Sequence, residues 1–296
     1  MLTQTRRLLE MIRFSHTLFA LPFALLSAAL AWHREGVFRT LDLAGILLCM
    51  VFARSAAMAF NRLVDRRIDA ANPRTATRHL PAGTLGVPAV VAFTLLCSAG
   101  FVASTLLFLL REPANLWPLY LSGPVLVFLC VYSLTKRFTA LAHFWLGASL
   151  MLAPVSAWIA IRGLVDLDTP FWIAGAVFFW VAGFDILYAC QDADFDLKAR
   201  LHSVPAMLGV RNSLRVALLC HVVMLAVLGG LYATTPELGP VFLVGWIAVG
   251  LLLAYEHWLV RPDDLTRVNQ AFFQVNVIVS VGLFVLVLVE LAVRRS

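Results

Sequence analysis

Charged residues are scarce in this chain of 296 residues: they make up 14% of it, whereas hydrophobic residues make up 61%. Soluble domains carry about 25% charged residues, and a mean hydropathy of +0.87 also excludes a typical soluble domain. The five cysteines stand singly inside apolar segments and form no CxxC pair, which excludes a disulfide framework and a cysteine-based zinc site. No basic stretch is interleaved with exposed aromatics, so the composition also argues against nucleic-acid binding.

Long apolar runs dominate the chain, and nine of them approach the roughly 20 residues that a helix needs to cross a bilayer. They comprise residues 14–32, 43–60, 89–110, 116–134, 140–161, 171–190, 216–232, 241–260 and 271–293. The runs are continuous rather than alternating, which favours helices over a β-barrel because backbone groups in lipid must be satisfied within the segment. The sequence therefore predicts an all-α membrane protein, a bundle of nine transmembrane helices that forms a single domain over residues 1–296.

Lys and Arg are unevenly distributed between the two sides of such a bundle. If the amino end is cytoplasmic, sixteen of them fall on the cytoplasmic side and six on the other. Since positive residues concentrate in cytoplasmic loops, we expect a multi-pass protein of the inner (cytoplasmic) membrane. The first apolar run has an alternative interpretation as a signal peptide, because it follows Arg6, Arg7 and Arg13 and ends in Ala-Leu-Ala.

Two groups of acidic residues follow the second and the sixth predicted spans. The first Asp cluster consists of Asn61, Asp65 and Asp69, and the second Asp cluster consists of Asp185, Asp192 and Asp196. Steps of four, seven and eleven residues return to nearly the same side of a helix, so each cluster is expected to form one stripe, with Asp194 directed away. Carboxylate and amide oxygens suit Mg²⁺, which takes further ligands from substrate phosphates. The six side chains are therefore predicted to hold Mg²⁺ ions that bind a diphosphate; ordinary solvated turns are the alternative.

Arginines accompany the first cluster. Arg54 lies inside the second predicted span, seven residues before Asn61 and hence on the same helix face. Ionisable groups inside a membrane are costly and by default functional, and guanidinium groups bind phosphate oxygens through paired hydrogen bonds. Arg54, Arg78 and Asn61 are therefore predicted to bind the diphosphate, with neutralisation of nearby aspartates as the alternative role of Arg54. The long polar loops 62–87 and 191–215 are expected to form a cytoplasmic cap.

At these stretches the chain resembles the UbiA superfamily of intramembrane prenyltransferases. Residues 61–69 match its first signature, NxxxDxxxD, and an Arg-containing loop follows them. Residues 185–196 match its second signature, which consists of an Asp, a Tyr three residues later and then a DxxxD motif. The resemblance begins at the stretch 16–22 and covers about two thirds of the chain. In this family a basic residue at the end of the fourth span helps to hold diphosphate, and Lys136 and Arg137 occupy that place.

The resemblance implies Mg²⁺-dependent transfer of a polyprenyl group from a polyprenyl diphosphate to a ring carbon of an aromatic acid of the 4-hydroxybenzoate type, in ubiquinone or menaquinone biosynthesis. The resemblance also implies catalytic roles for Arg54, Asp65, Asp192 and Tyr188. The aromatic ring of Tyr188 is suited to stabilise positive charge. The chain departs from 4-hydroxybenzoate enzymes at residues 200–205, where Arg-Leu-His-Ser-Val-Pro stands. Together with the Gln-Asp-x-x-Phe-Asp pattern at residues 191–196, this stretch resembles a subgroup associated with quinone synthesis, which includes prenylation of a dihydroxynaphthoate in the futalosine route to menaquinone.

Other functions are weaker alternatives. His202 is a candidate catalytic base, although a local structural role in its loop is the favoured interpretation. A cation-coupled transporter should carry its acidic sites near the bilayer midplane, whereas most of these carboxylates lie at the ends of predicted spans. A CDP-alcohol phosphatidyltransferase needs aspartates, glycines and an arginine in one compact run. No such run follows Asp65 and Asp69 in this sequence.

Overall fold

The computed structural model of the chain describes the backbone of residues 2–12 and 19–294 and the side chains of residues 6–12, 19–269 and 273–294. Its regular elements are helical, apart from an isolated bridge between Arg261 and Asp264. The α-helices of this part are α1 Leu2–Met11, α2 Leu21–Glu35, α3 Thr40–Ala71, α4 Val87–Thr105, α5 Trp117–Thr135, α6 Ala142–Arg162, α7 Asp168–Ala189, α8 Ala193–Lys198, α9 Val204–Thr234, α10 Pro240–Leu259, α11 Val268–Gln270 and α12 Asn276–Val293. The other helical elements are short: two 3₁₀ turns at Leu106–Leu110 and Cys190–Asp192, and a π turn at Ala271–Val275.

Eight segments in the described part of the chain are long and apolar enough to cross a membrane. They are Thr40–Ala71, Val87–Leu110, Trp117–Thr135, Ala142–Arg162, Asp168–Lys198, Val204–Thr234, Pro240–Leu259 and Phe273–Val293. These segments correspond to the second through the ninth predicted spans, so an all-helical membrane fold is confirmed. The first predicted span, residues 14–32, lies partly outside the described residues, as do Arg13 and the start of the stretch 16–22. Its described part lies mainly in α2, so the first span, and with it the count of nine, stays a prediction.

The chain divides into two compact units. The first unit comprises residues 1–17 and 39–134, and the second comprises residues 18–38 and 135–296. In their described parts, the first unit contains α1 and α3 to α5, and the second contains α2 and α6 to α12. The single domain over residues 1–296 and the cap formed by the two polar loops stay predictions.

In the first unit, α3 makes close contacts near its start and in its second half. Near its start, Gly45 lies against the ring of Phe108, which a Cβ atom would approach to 2.6 Å. Further along, α1 buries Met11 and Ile12 in a cluster with Ala59 of α3. Because Ala59 lies two residues before Asn61, the amino-terminal helix packs against the part of α3 where the acidic stripe begins.

In the second unit, α7 is the central helix and packs against α6 and α9. Gly147 of α6 lies against the carbonyl oxygen of Phe178, and Gly183 of α7 lies against the ring of His221 of α9. At both positions a Cβ atom would come closer than 3.0 Å, which real structures essentially never show. These glycines therefore let three helices approach closely, next to the position of Asp185.

Candidate active site

The first Asp cluster lies on one uninterrupted helix. α3 continues past the predicted end of its span as far as Ala71, so Asn61, Asp65 and Asp69 follow one another at intervals of about one turn, as predicted. Nδ2 of Asn61 donates a hydrogen bond to Oδ2 of Asp65 at 3.2 Å, and Asp65 is only 3% exposed. Buried carboxylates are costly unless cations compensate them, so this stripe is a place where positive charge is required.

Asp69 receives that positive charge from two arginines. Nη1 of Arg78 donates to Oδ1 of Asp69 at 2.7 Å, and Nη1 of Arg62 lies 3.8 Å from Oδ2. The hydroxyl of Thr75 also donates to the backbone oxygen of Asp69 at 3.0 Å, which folds the following loop back onto the helix end. A predicted metal ligand, Asp69, and a predicted diphosphate ligand, Arg78, are thus paired with each other in this structure.

A basic cavity of about 200 Å³ opens beside this ion pair within the first unit. Its lining consists of Glu10, Met11, Arg62, Arg74, Thr77, Arg78 and His79. The lining carries three arginines and one carboxylate, that of Glu10, while Arg62 and Arg78 also contact Asp69. Arginine forks bind phosphate oxygens in pairs. The basic cavity therefore has the charge and the donors to bind a phosphate group.

Arg54 lies deeper in α3, seven residues before Asn61. Its Nε is buried and has no hydrogen-bond partner among the described residues. Buried polar groups in native proteins are almost always hydrogen-bonded, and an exception calls for an explanation such as a bound ligand or ion. A guanidinium nitrogen without an acceptor inside a membrane-spanning helix marks a position that suits an anionic ligand.

The second Asp cluster is divided between two helices. After the end of α7, a 3₁₀ turn covers Cys190–Asp192 before α8 begins, so the prediction of one continuous helical stripe is wrong here. A 3₁₀ turn advances about 120° per residue instead of about 100°, which rotates Asp196 by roughly 60° from its expected direction. Gln191 stabilises this turn by donating from Nε2 to the carbonyl oxygen of Tyr188 at 3.1 Å.

Asp196 lies at the centre of a charged group in the second unit. Its carboxylate forms a hydrogen bond with the side chain of Ser203 and lies within electrostatic reach of Asp192, Lys136 and His143. The structure therefore brings the DxxxD pair and the predicted diphosphate ligand Lys136 into one neighbourhood. Two carboxylates and an ammonium group close together can hold a cation and an anion at once.

The other predicted residues of this unit are more exposed. The backbone N–H of His202 donates to the carbonyl oxygen of Lys136 at 2.7 Å, while its side chain is exposed, which supports a local structural role. Arg137 and Asp194 are exposed and Tyr188 is partly buried. Asp194 is thus more exposed than Asp185, Asp192 and Asp196.

His143 is a residue that the sequence interpretation missed. Its Nδ1 lies 2.7 Å from Oδ2 of Asp185, and its Nε2 accepts a hydrogen bond from the backbone N–H of Val204 at 3.3 Å. The ring is only 5% exposed. A signal was present, since a lone histidine at the start of an apolar span is an intramembrane ionisable group.

The fold is that of an intramembrane prenyltransferase. The chain is similar to the structure of a UbiA homologue from Aeropyrum pernix K1, with a TM-score of 0.80 and 30% sequence identity over 95% of this chain and 98% of that one. A UbiA homologue from Archaeoglobus fulgidus bound to DMAPP and Mg²⁺ has a similar fold, with a TM-score of 0.73 at 19% identity over 97% of this chain and 99% of that one.

Sequence comparisons agree with the fold. The 4-hydroxybenzoate octaprenyltransferase of Nitrosomonas europaea is 33% identical over 231 residues, which cover 78% of this chain and 76% of that protein. The enzyme of the same name from Vibrio vulnificus is 31% identical over 245 residues, which cover 81% and 82%. Residues 20–278 match the model of the UbiA prenyltransferase family. The chain belongs to this family, and the predicted enzyme class, a prenyltransferase, is confirmed.

Proposed function

We propose that the chain transfers a polyprenyl group from a polyprenyl diphosphate to a ring carbon of 4-hydroxybenzoate, in a Mg²⁺-dependent reaction that releases diphosphate. The observation that carries the proposal is the buried, unsatisfied Nε of Arg54, on the same helix as Asn61 and Asp65. The names of the relatives support 4-hydroxybenzoate as the acceptor. The proposal includes nine spans in the inner (cytoplasmic) membrane, with both Asp clusters on the cytoplasmic side, as the distribution of Lys and Arg favours.

The oxygen donors of the chain fit Mg²⁺. The described residues include no group of three or more His, Cys, Asp or Glu side chains that could hold a metal alone. Mg²⁺ suits this situation because it binds through one or two carboxylates and takes its other ligands from water and substrate phosphates. We propose that Asn61 and Asp65 in the first unit, and Asp185, Asp192 and Asp196 in the second, bind Mg²⁺, each group within its own unit. When bound, Mg²⁺ supplies charge stabilisation to the leaving diphosphate.

The basic residues bind the diphosphate itself. When the bond between the allylic carbon and the oxygen breaks, negative charge develops on the diphosphate, and donors that are already oriented stabilise it most effectively. Asp69 orients Arg78 in this way, through the 2.7 Å hydrogen bond between their side chains. Arg54 supplies an unsatisfied donor, its Nε, from within the membrane span. In the second unit, Lys136 and Arg137 are the corresponding cations.

Two further tasks fall to other parts of the chain. The allylic cation must be protected from water until the aromatic ring attacks it, and the ring of Tyr188 is proposed to stabilise its positive charge. The polyprenyl tail needs apolar surroundings, which the membrane-spanning helices and the lipid provide. Polyprenyl diphosphate, a small aromatic acid and the bilayer are therefore the proposed partners.

A second acceptor is favoured by residues 202–205. The stretch His-Ser-Val-Pro resembles the subgroup that prenylates a dihydroxynaphthoate in the futalosine route to menaquinone. The discriminating experiment supplies purified protein with radiolabelled geranyl diphosphate and either 4-hydroxybenzoate or dihydroxynaphthoates, with Mg²⁺ and then with EDTA. Product from 4-hydroxybenzoate that disappears with EDTA supports the main proposal, and mass spectrometry locates the new carbon–carbon bond. Product from the naphthoate alone changes the acceptor, and no product from any acceptor refutes the proposal.

A further inference from the structure

His143 joins three helices of the second unit. It lies on α6, its Nδ1 contacts Asp185 of α7, and its Nε2 contacts the backbone N–H of Val204, the first residue of α9. The first N–H groups of a helix have no partner within the helix, so Val204 gains an acceptor that it otherwise lacks. Both ring nitrogens are thus occupied, and a ring that is 5% exposed has little surface left for a substrate.

The contact with Val204 determines which nitrogen of His143 carries the proton. A backbone N–H can only donate, so Nε2 must present its lone pair. In the neutral ring the proton is then on Nδ1, and Nδ1–H donates to Oδ2 of Asp185 across 2.7 Å. The tautomer of His143 therefore suits a carboxylate at Asp185.

Asp185 is left with one oxygen for other partners. Oδ2 is engaged by His143, while Oδ1 forms no hydrogen bond within the described part of the chain, and the carboxylate side chain is 20% exposed. The surrounding helices hold this arrangement, because Gly147 lies one turn after His143 on α6 and directly against the backbone of Phe178 on α7. Asp185 follows Phe178 by two turns, so the close crossing sets the distance between the two side chains.

We infer that His143 is a positioning residue for prenyl transfer: by binding Oδ2 of Asp185, it leaves Oδ1 alone to bind the Mg²⁺ that holds the diphosphate. This inference rests on the proposed function. Partners that orient metal-binding side chains are known to matter, and their loss typically costs about 10- to 100-fold in metal affinity or activity. His143 acts through Asp185 and does not itself touch the substrate.

A purely structural role is the competing explanation, in which His143 only anchors the start of α9. Two substitutions separate the roles, because asparagine places an N–H donor near the position of Nδ1 and glutamine places an acceptor near the position of Nε2. His143→Asn should keep the bond to Asp185 and a rate within about threefold of wild type. His143→Gln should keep the anchor for Val204 but lower kcat about 10- to 100-fold and raise the Mg²⁺ concentration for half-maximal rate.

A matched control comes from the same helix. Ser149→Ala removes another buried polar side chain of α6, whose hydroxyl bonds only within the helix, to the carbonyl oxygen of Trp145 at 2.9 Å. It should leave the rate and the Mg²⁺ dependence unchanged. Melting temperatures in detergent should be similar for the control and both His143 variants, which separates loss of positioning from loss of folding.

A measurement independent of turnover tests the hydrogen bond itself. In ¹⁵N NMR spectra of histidine-labelled protein, His143 should show a protonated Nδ1 and an unprotonated Nε2. Asp185→Ala should shift the Nδ1 signal, and Ser149→Ala should not. In the Asp185→Ala background, His143→Gln should cause no further loss of rate, because residues that act through one another are not additive.

Several results would overturn the inference. They are a wild-type rate for His143→Gln, equal damage from the asparagine and glutamine variants, additive losses in the double variant, or an unprotonated Nδ1 in the NMR spectrum. Failure of the proposed function has a different signature, because wild-type protein would then give no prenylated product with any acceptor. In that case the positioning role of His143 in prenyl transfer falls too, while the NMR spectra still establish whether Nδ1 binds Asp185.

Discussion

Replacing Gly147 with alanine would place a methyl group against the carbonyl oxygen of Phe178, well inside the 3.0 Å that real Cβ atoms keep from other heavy atoms. The obstacle is backbone rather than a flexible side chain, so α6 and α7 must separate by several tenths of an ångström. Overpacking of this kind costs about 1–3 kcal/mol of stability. The displacement also reaches His143, one turn away, and lengthens its 2.7 Å contact with Asp185 toward the distance at which a hydrogen bond is lost.

Gly147→Ala should therefore lower both the melting temperature and the rate of prenyl transfer, with a loss of rate of about tenfold. Thermal unfolding in detergent and initial rates with radiolabelled geranyl diphosphate measure the two effects. Gly123→Ala is the matched control, because a Cβ atom at Gly123 of α5 would meet nothing within 4 Å. That variant should keep the wild-type rate, with a slightly higher melting temperature because alanine favours helix by about 1 kcal/mol. Wild-type stability and rate for Gly147→Ala would refute the close helix crossing.

Three further outcomes test other parts of the molecule. Asp65→Ala or Asp192→Ala should abolish turnover while the protein stays in the membrane fraction, and a near-normal rate from either would contradict the metal assignment. Arg54→Lys should lower kcat/KM at least about tenfold, because a point charge replaces a two-pronged donor; unchanged kcat and KM would leave Arg54 as a counter-charge for the aspartates. Burial raises the pKa of Glu237, but the hydrogen bond from Arg34, a hydrogen bond from the backbone of Glu237 itself and the positive charges of Arg34 and His33 together hold the pKa below its ordinary value of 4.5. Glu237→Gln should therefore lower the melting temperature at about pH 7, and this difference should shrink as the pH falls below about 4.5; a difference independent of pH would contradict the ion pair.

Hydropathy and helical periodicity predicted the spans and the first Asp cluster well. A continuous apolar run in lipid leaves helix as the only solution for each segment, and no glycine or proline interrupts residues 46–71. α3 therefore keeps its period from the membrane span through the acidic stripe. Under these conditions a spacing of four residues translates directly into a shared helix face.

The same reasoning failed at the second Asp cluster because its premise, a regular helix, does not hold there. No proline or glycine in residues 184–198 marks the break. The 3₁₀ turn is accompanied by contacts that include a distant one, since Asn269 donates to Oε1 of Gln191 at 3.3 Å across 78 positions of sequence. Periodicity is a local property, so it cannot register a change of helix type that tertiary contacts stabilise.

Asp65 and Asp69 show the same limit for the roles of individual side chains. Both lie on one stripe of α3 and are almost fully buried, so the sequence assigns both to a metal. In the structure Asp69 is paired with Arg78, nine positions further on. A carboxylate that is already bound to guanidinium loses much of its tendency to attract a cation, whereas an oriented arginine is a better phosphate ligand than a free one. One residue type in one pattern can thus have two different surroundings, and the way the following loop folds back places Arg78 against Asp69.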